Sequence, residues 1–314
     1  RSKLKAGRTG EALFFELALS DITRAADLFR PVYQRTDGVD GWVSLEVSPL
    51  LANDTQTTIA VAKELHARAG RPNLFIKIPG TAEGIPAIEE AIFAGVPHYL
   101  PVRLGVSIFA GVPVNVTLLF SREQYLAAAE AYLRGIERRI AAGLRPYVAS
   151  VASLFISRWD VAVAAKVPPA LVNRLGIAIG QRCYKAYDDF ISSPRFRCAQ
   201  NAGARPQRLL FASTGTKDPK ASDVMYVESL AAPLTVNTMP ENTLLALADH
   251  GRVSKPIPPG GGDCEAVLAQ FASAGIDLDA LAAQLQVEGA AAFVKSWQEL
   301  MSVLAAKSGA LKAA

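Results

Sequence analysis

Histidine, cysteine, methionine and tryptophan each occur only three times in 314 residues, and that scarcity excludes several chemistries. Cys183, Cys198 and Cys264 form no CxxC pair, and an odd number of thiols cannot close a complete disulfide framework. Reduced thiols in a cytoplasmic protein are the expectation. His66, His98 and His250 lack the HExxH spacing of a helical zinc site, so no bound metal is expected. Charge is scarce as well. Charged residues make up 20% of the chain and the net charge is +4, without the basic stripe and interleaved aromatics that track nucleic acid. The longest uncharged run, Leu104 to Ser121, is broken by Gly105, Gly111, Pro113 and Asn115. It reads as a turn leading into a buried strand, not as a membrane span.

Apolar residues are plentiful at 50%, enough for a large core. They gather in short runs that predict strands at Trp42–Val47, Leu74–Ile78, Val114–Leu119, Val148–Phe155, Arg208–Ala212 and Leu234–Thr238. Helical patterns lie before, between and after them: Glu11–Phe29, Thr55–Ala69, Ala87–Ala94, Glu123–Ala142, Pro169–Ile191, Ser222–Ala231 and Glu241–Asp249. Asn53 or Asp54 can cap the second of these and Gly70 can stop it, while Ser121-Arg-Glu-Gln124 is a capping box for the fourth. Continuous apolar strands alternating with amphipathic helices predict an α/β fold with a parallel sheet buried on both faces. The spacing suits a (β/α)₈ TIM-barrel type of which six strands are identifiable. Residues 1–254 would form this incomplete barrel domain, and 255–314 a linker, KPIPPGGGD, with a helical extension over Glu265–Lys307 packing on it. Arg1 stands where a native start carries methionine, so an upstream segment is expected. The hexapeptide IFAGVP occurs at Ile92–Pro97 and again at Ile108–Pro113, which reads as a local duplication that lengthened one loop.

In parallel barrels the reacting groups sit at the carboxyl ends of strands, and those ends supply a short set of candidates. Lys77 stands among Phe75, Ile76 and Ile78. Burial favours the uncharged form of an amine, the form that attacks a carbonyl carbon, although a lysine here can equally be half of an ion pair. Glu46, one strand earlier, is either its ion-pair partner or a general acid/base. Thr117 and Asn115 share one face of the third strand by the two-residue period. Ser153 and Arg158 end the fourth, and Arg158 can fork onto a phosphate or pair with Asp160. Phe211–Lys217, FASTGTK, has the composition of an anion-binding loop, with Ser213 and Lys217 as its candidates.

Taken in order, FIKIPGT, NVTLLF, SVASLFISRWD, STGTKDP and TVNTMP resemble the transaldolases, over a stretch from about Asp21 to Lys307. The resemblance implies a cofactor-independent class I enzyme of the pentose phosphate pathway. It implies that Lys77 forms a Schiff base while Glu46 and Thr117 position water and relay protons. Asn115 and Ser153 would meet substrate hydroxyls, and Arg158 with Ser213 would hold the phosphate, with Lys217 as a further cation. The expected partners are sugar phosphates, with no nucleic acid or membrane, and homo-oligomers are left open. The family's first-strand WLD-type motif, with its catalytic aspartate, and its second-strand TSNP motif have no counterpart in this sequence. Asp21-Ile-Thr-Arg24 is superficially similar to the first but runs into a helical pattern. A simple Schiff-base aldolase and a non-catalytic barrel fragment are the alternatives.

Overall fold

In the computed structural model, which describes residues 2–94, 96–98, 108–253 and 255–313, short parallel strands alternate with helices. A short turn of helix, α1 (Ser2–Lys5), precedes α2 (Gly10–Arg35). The order then runs β1 (Val43–Glu46), α3 (Thr55–Ala69), β2 (Leu74–Pro79), α4 (Gly84–Ala94), β3 (Val96–His98) and β4 (Ile108–Ala110). It continues with β5 (Val114–Leu119), α5 (Arg122–Ala141), β6 (Ser150–Phe155), α6 (Ser157–Val163), α7 (Leu175–Ser192) and α8 (Pro194–Asn201). Last come β7 (Arg208–Ala212), α9 (Met225–Ser229), β8 (Val236–Asn237), α10 (Glu241–His250), α11 (Cys264–Ser273) and α12 (Leu278–Ala313).

Six strands form one parallel sheet in the order β1-β2-β5-β6-β7-β8, a half-barrel whose edges among the described residues are β1 and β8. β5 and β6 are buried at every position, as central parallel strands covered on both faces must be. The helices begin and end where local chemistry dictates. Asp54 caps α3 by accepting from the Thr57 amide at 3.0 Å, and Gly70 closes that helix in the left-handed region at φ 58°. Both halves of the Ser121–Gln124 capping box are formed at the start of α5.

Several boundaries differ from the sequence expectation, each for a physical reason. α2 runs on through Pro31, past the expected end at Phe29, because Tyr33 beyond it packs edge-on against Trp42 at 5.1 Å. The expected helix from Pro169 is split: a 3₁₀ turn covers Pro169–Leu171, Asn173 takes a φ of 64°, and α7 starts only at Leu175. α6 and α8 have too few residues to leave a periodic signal. The single extension expected over Glu265–Lys307 is two helices that meet at 91°, broken at Gly275 with φ 84°. The last expected strand shrinks to two residues, with Leu234 in the left-handed region.

The repeat takes two conformations. Ile92, Phe93 and Ala94 of the first copy end α4, whereas Ile108, Phe109 and Ala110 of the second form β4. β4 pairs antiparallel with β3, which holds Val96 and Pro97 of the first copy. The stretch 104–107 in the long uncharged run lies outside the described residues. Among the described residues no single helix is long and apolar enough to cross a membrane; only the bent α11–α12 pair passes on length and composition.

Candidate active site

Strand register alone gathers much of the candidate set. Glu46 lies beside Lys77, Lys77 beside Asn115, and Pro79 beside Thr117 across neighbouring strands, so these side chains share the face opposite the outer helices. Lys77 Nζ donates to Glu46 Oε2 at 3.0 Å, with both side chains about a quarter exposed (25% and 28%). Of the two sequence readings of this pair, the geometry shows the ion pair.

A string of hydrogen bonds runs across the same face. Ser153 Oγ donates to Asn115 Oδ1 at 2.7 Å, and Asn115 Nδ2 donates to Ser44 Oγ at 3.3 Å. Asn115 and Ser153 are buried, so their polar atoms depend on one another. Ser44 had a readable signal, because it stands two residues before Glu46 on the same face. The Thr117 hydroxyl is buried and makes no hydrogen bond among the described residues. Its neighbour Leu118 has a φ of 60°, and the β5–β6 register slips between Val116 and Leu119. This is a bulge, the device that re-aims a side chain beside a site.

Arg158, the second residue of α6, is half-buried. Its guanidinium lies 5.1 Å from the Phe155 ring centre and 6.0 Å from that of Phe293. Burial pushes it down from the usual arginine range, and it makes no salt bridge among the described residues. The alternative pairing with Asp160 does not form. The buried Asp160 carboxylate accepts instead from the amides of Leu175 (2.9 Å) and Gly176 (3.1 Å) and from the Tyr226 hydroxyl (2.8 Å), tying α6 to the start of α7. Burial drives the Asp160 pKa up, and those three donors pull it back.

Ser213, with φ 57° at the end of β7, places its hydroxyl 2.9 Å from that of Ser157, the residue before Arg158. Lys217 lies exposed on the loop beyond, without a hydrogen bond or ion pair to the other candidates among the described residues. Ser157 could have been found by its adjacency to Arg158. Phe293 could not, because it comes from α12, far along the chain. A cavity of about 230 Å³ opens beside Glu46, walled by Phe14 of α2 and by Phe293 and Trp297 of α12.

A parallel α/β sheet presenting polar and charged side chains at its carboxyl edge defines an enzyme of the α/β-barrel class. A family model described as Transaldolase/Fructose-6-phosphate aldolase matches residues 1–304, and the chain belongs to that family. It is 45% identical over 294 residues to a transaldolase of Thermobifida fusca, covering 91% of this chain and 76% of the relative. Transaldolases of a Parafrankia species (42% over 302 residues; 93% of this chain, 78% of the relative) and of Frankia alni (40% over 316; 98% and 81%) are similar.

Proposed function

We propose that the chain is a transaldolase, passing a dihydroxyacetone unit from sedoheptulose 7-phosphate to glyceraldehyde 3-phosphate in the non-oxidative pentose phosphate pathway. The observation that carries the reading is the Lys77–Glu46 pair above the Ser44–Asn115–Ser153 string, in a chain of this family. Glu46 takes a proton from Lys77, whose amine adds to the donor carbonyl; loss of water leaves an iminium. The hydroxyl on the carbon to be released gives its proton to the Glu46 carboxylate as the neighbouring carbon–carbon bond breaks and the iminium draws in the electron pair, so the aldehyde leaves and an enamine stays on Lys77. That enamine attacks the acceptor aldehyde, and water then frees the new ketose. Thr117 relays protons, Asn115 and Ser153 meet substrate hydroxyls, and Arg158 with Ser213 and Lys217 receives the phosphate.

The six-stranded sheet is in this reading part of an eight-stranded barrel, with residues 1–254 as the barrel domain and 255–314 as linker and helical extension. The free thiols of Cys183, Cys198 and Cys264 favour the cytoplasm. Borohydride reduction in the presence of the ketose phosphate should leave a three-carbon adduct on Lys77, read by peptide mass spectrometry. Turnover without such an adduct overturns the assignment. Release of free dihydroxyacetone in the absence of an acceptor aldehyde would mark a simple aldolase. Binding of sugar phosphate without any adduct would mark a non-catalytic fragment.

A further inference from the structure

We propose that Gln286 of α12 is a positioning residue for the reaction, an inference that rests on the transaldolase reading. Its carboxamide nitrogen donates to two backbone carbonyls, Gly80 at 3.0 Å and Leu118 at 2.9 Å. Both amide hydrogens are therefore spent on the carboxyl ends of two neighbouring strands, β2 and β5. Gly80 lies three residues beyond Lys77, and Leu118 directly follows Thr117. A third bond joins the same two ends, from the Gly80 amide to the Thr117 carbonyl at 2.7 Å.

This clamp falls where the backbone most needs one. Leu118 is the left-handed residue of the β5 bulge, a conformation that a branched side chain adopts only when its surroundings impose it. A glutamine side chain arriving from α12 anchors the Leu118 carbonyl and so holds the turn that aims Thr117. The rest of the helix face serves the same end. Gly289, one turn on from Gln286, passes so close that a Cβ there would lie 2.9 Å from Leu118 Cδ2 and 3.2 Å from Arg158 Nη1. Phe293, one turn further, flanks the Arg158 guanidinium. Positions 286, 289 and 293 form one stripe along a helix. Through it, a single helix touches the ends of the Lys77 strand and the Thr117 strand together with the Arg158 cation. Leu281, Ala282 and Leu285 bury the turn that precedes the stripe, so the helix itself is anchored.

The test compares Gln286→Glu, which keeps the shape but cannot donate when ionised, with Gln286→Met, which keeps the length and carries no charge. Gln284→Met serves as the control, because Gln284 is exposed and bonds only to Glu288 one turn along the same helix. Turnover is divided by the fraction of Lys77 that borohydride traps at saturating donor, which removes any loss of folded protein. Both Gln286 variants should then lose about tenfold to a hundredfold in kcat, the scale of an ångström-level misplacement. Donor KM should move by less than about threefold. Normalised kcat within about twofold of wild type in the two variants, or a loss carried wholly by KM, overturns the positioning role. If Gln286→Glu fails to fold, Gln286→Met decides alone. Failure of the wild-type chain to be trapped at Lys77 overturns the transaldolase reading, and this proposal with it, before any variant is compared.

Discussion

Arg158 is a guanidinium set beside two aromatic rings, lowered in pKa by burial and joined to no carboxylate among the described residues. A cation already stripped of much of its water gains more from an arriving anion than a hydrated one does. Arg158→Ala is therefore expected to weaken phosphorylated substrates by about 1.5–3 kcal/mol, the range for hydrogen bonds to charged groups. Unphosphorylated analogues should be nearly unaffected. Comparing kcat/KM for the two substrate classes checks it, and equal losses in both would make the residue structural. The partners of Asp160 leave Arg158 free for this role, which the sequence could not decide. Arg158 and Asp160 are two residues apart, but the carboxylate is claimed by amides fifteen and sixteen positions further on.

Among elements, α4 and α5 pack closely along their length. Gly135 permits it: a Cβ there would stand 2.8 Å from Ile92 Cγ2 and 2.9 Å from the Glu89 carbonyl oxygen. Gly135→Ala should force the helices apart and cost about 1–3 kcal/mol, the usual penalty of overpacking, read by urea denaturation. Elements with strong local signals were legible in advance. The capping box of α5 and the apolar runs of β2, β5 and β6 needed no tertiary information. The placement of Lys77, Glu46, Asn115 and Thr117 on neighbouring strands followed from the same runs. What escaped the sequence depends on distant partners or single backbone angles: α2 continuing past Pro31, the split before α7, and the right-angled break at Gly275. The α12 side chains over the sheet escaped it as well, because nothing local marks which turn of a long helix will meet a strand end.

At the scale of the molecule, the half-barrel is bounded by β1 and β8 and crossed by α12, which packs against α2. Phe14 and Phe15 of α2 meet Trp297 of α12 with ring centres 4.8 Å and 6.0 Å away, so the two ends of the chain close over the Glu46 side of the sheet together. Contacts this far apart in sequence carry a large loop-closure cost, which the packing of the two helices must offset. The Gln286 clamp belongs to the same long-range layer. The candidate site is thus built of two parts: strand positions set by sheet register, and a helix laid across them.

The duplicated hexapeptide reads differently once its two conformations are known. The first copy contributes IFA to the end of α4, and the second contributes GVP to the lead-in of β5. The Val112 amide donates to the Ala91 carbonyl at 3.0 Å. If positions 95–110 were cut out, that bond would link residues five positions apart, and the junction would spell one intact IFAGVP. Removing positions 95–110 would therefore be a seamless splice, because the two borders rejoin into a single copy of the hexapeptide. The excised chain should keep its sheet register and Lys77 trapping. Its thermal midpoint should be equal or slightly higher, because the shorter connection lowers the entropy of loop closure by about 0.6 kcal/mol per halving of length. Loss of the folded sheet on excision would show instead that the paired β3 and β4 strands are part of the scaffold.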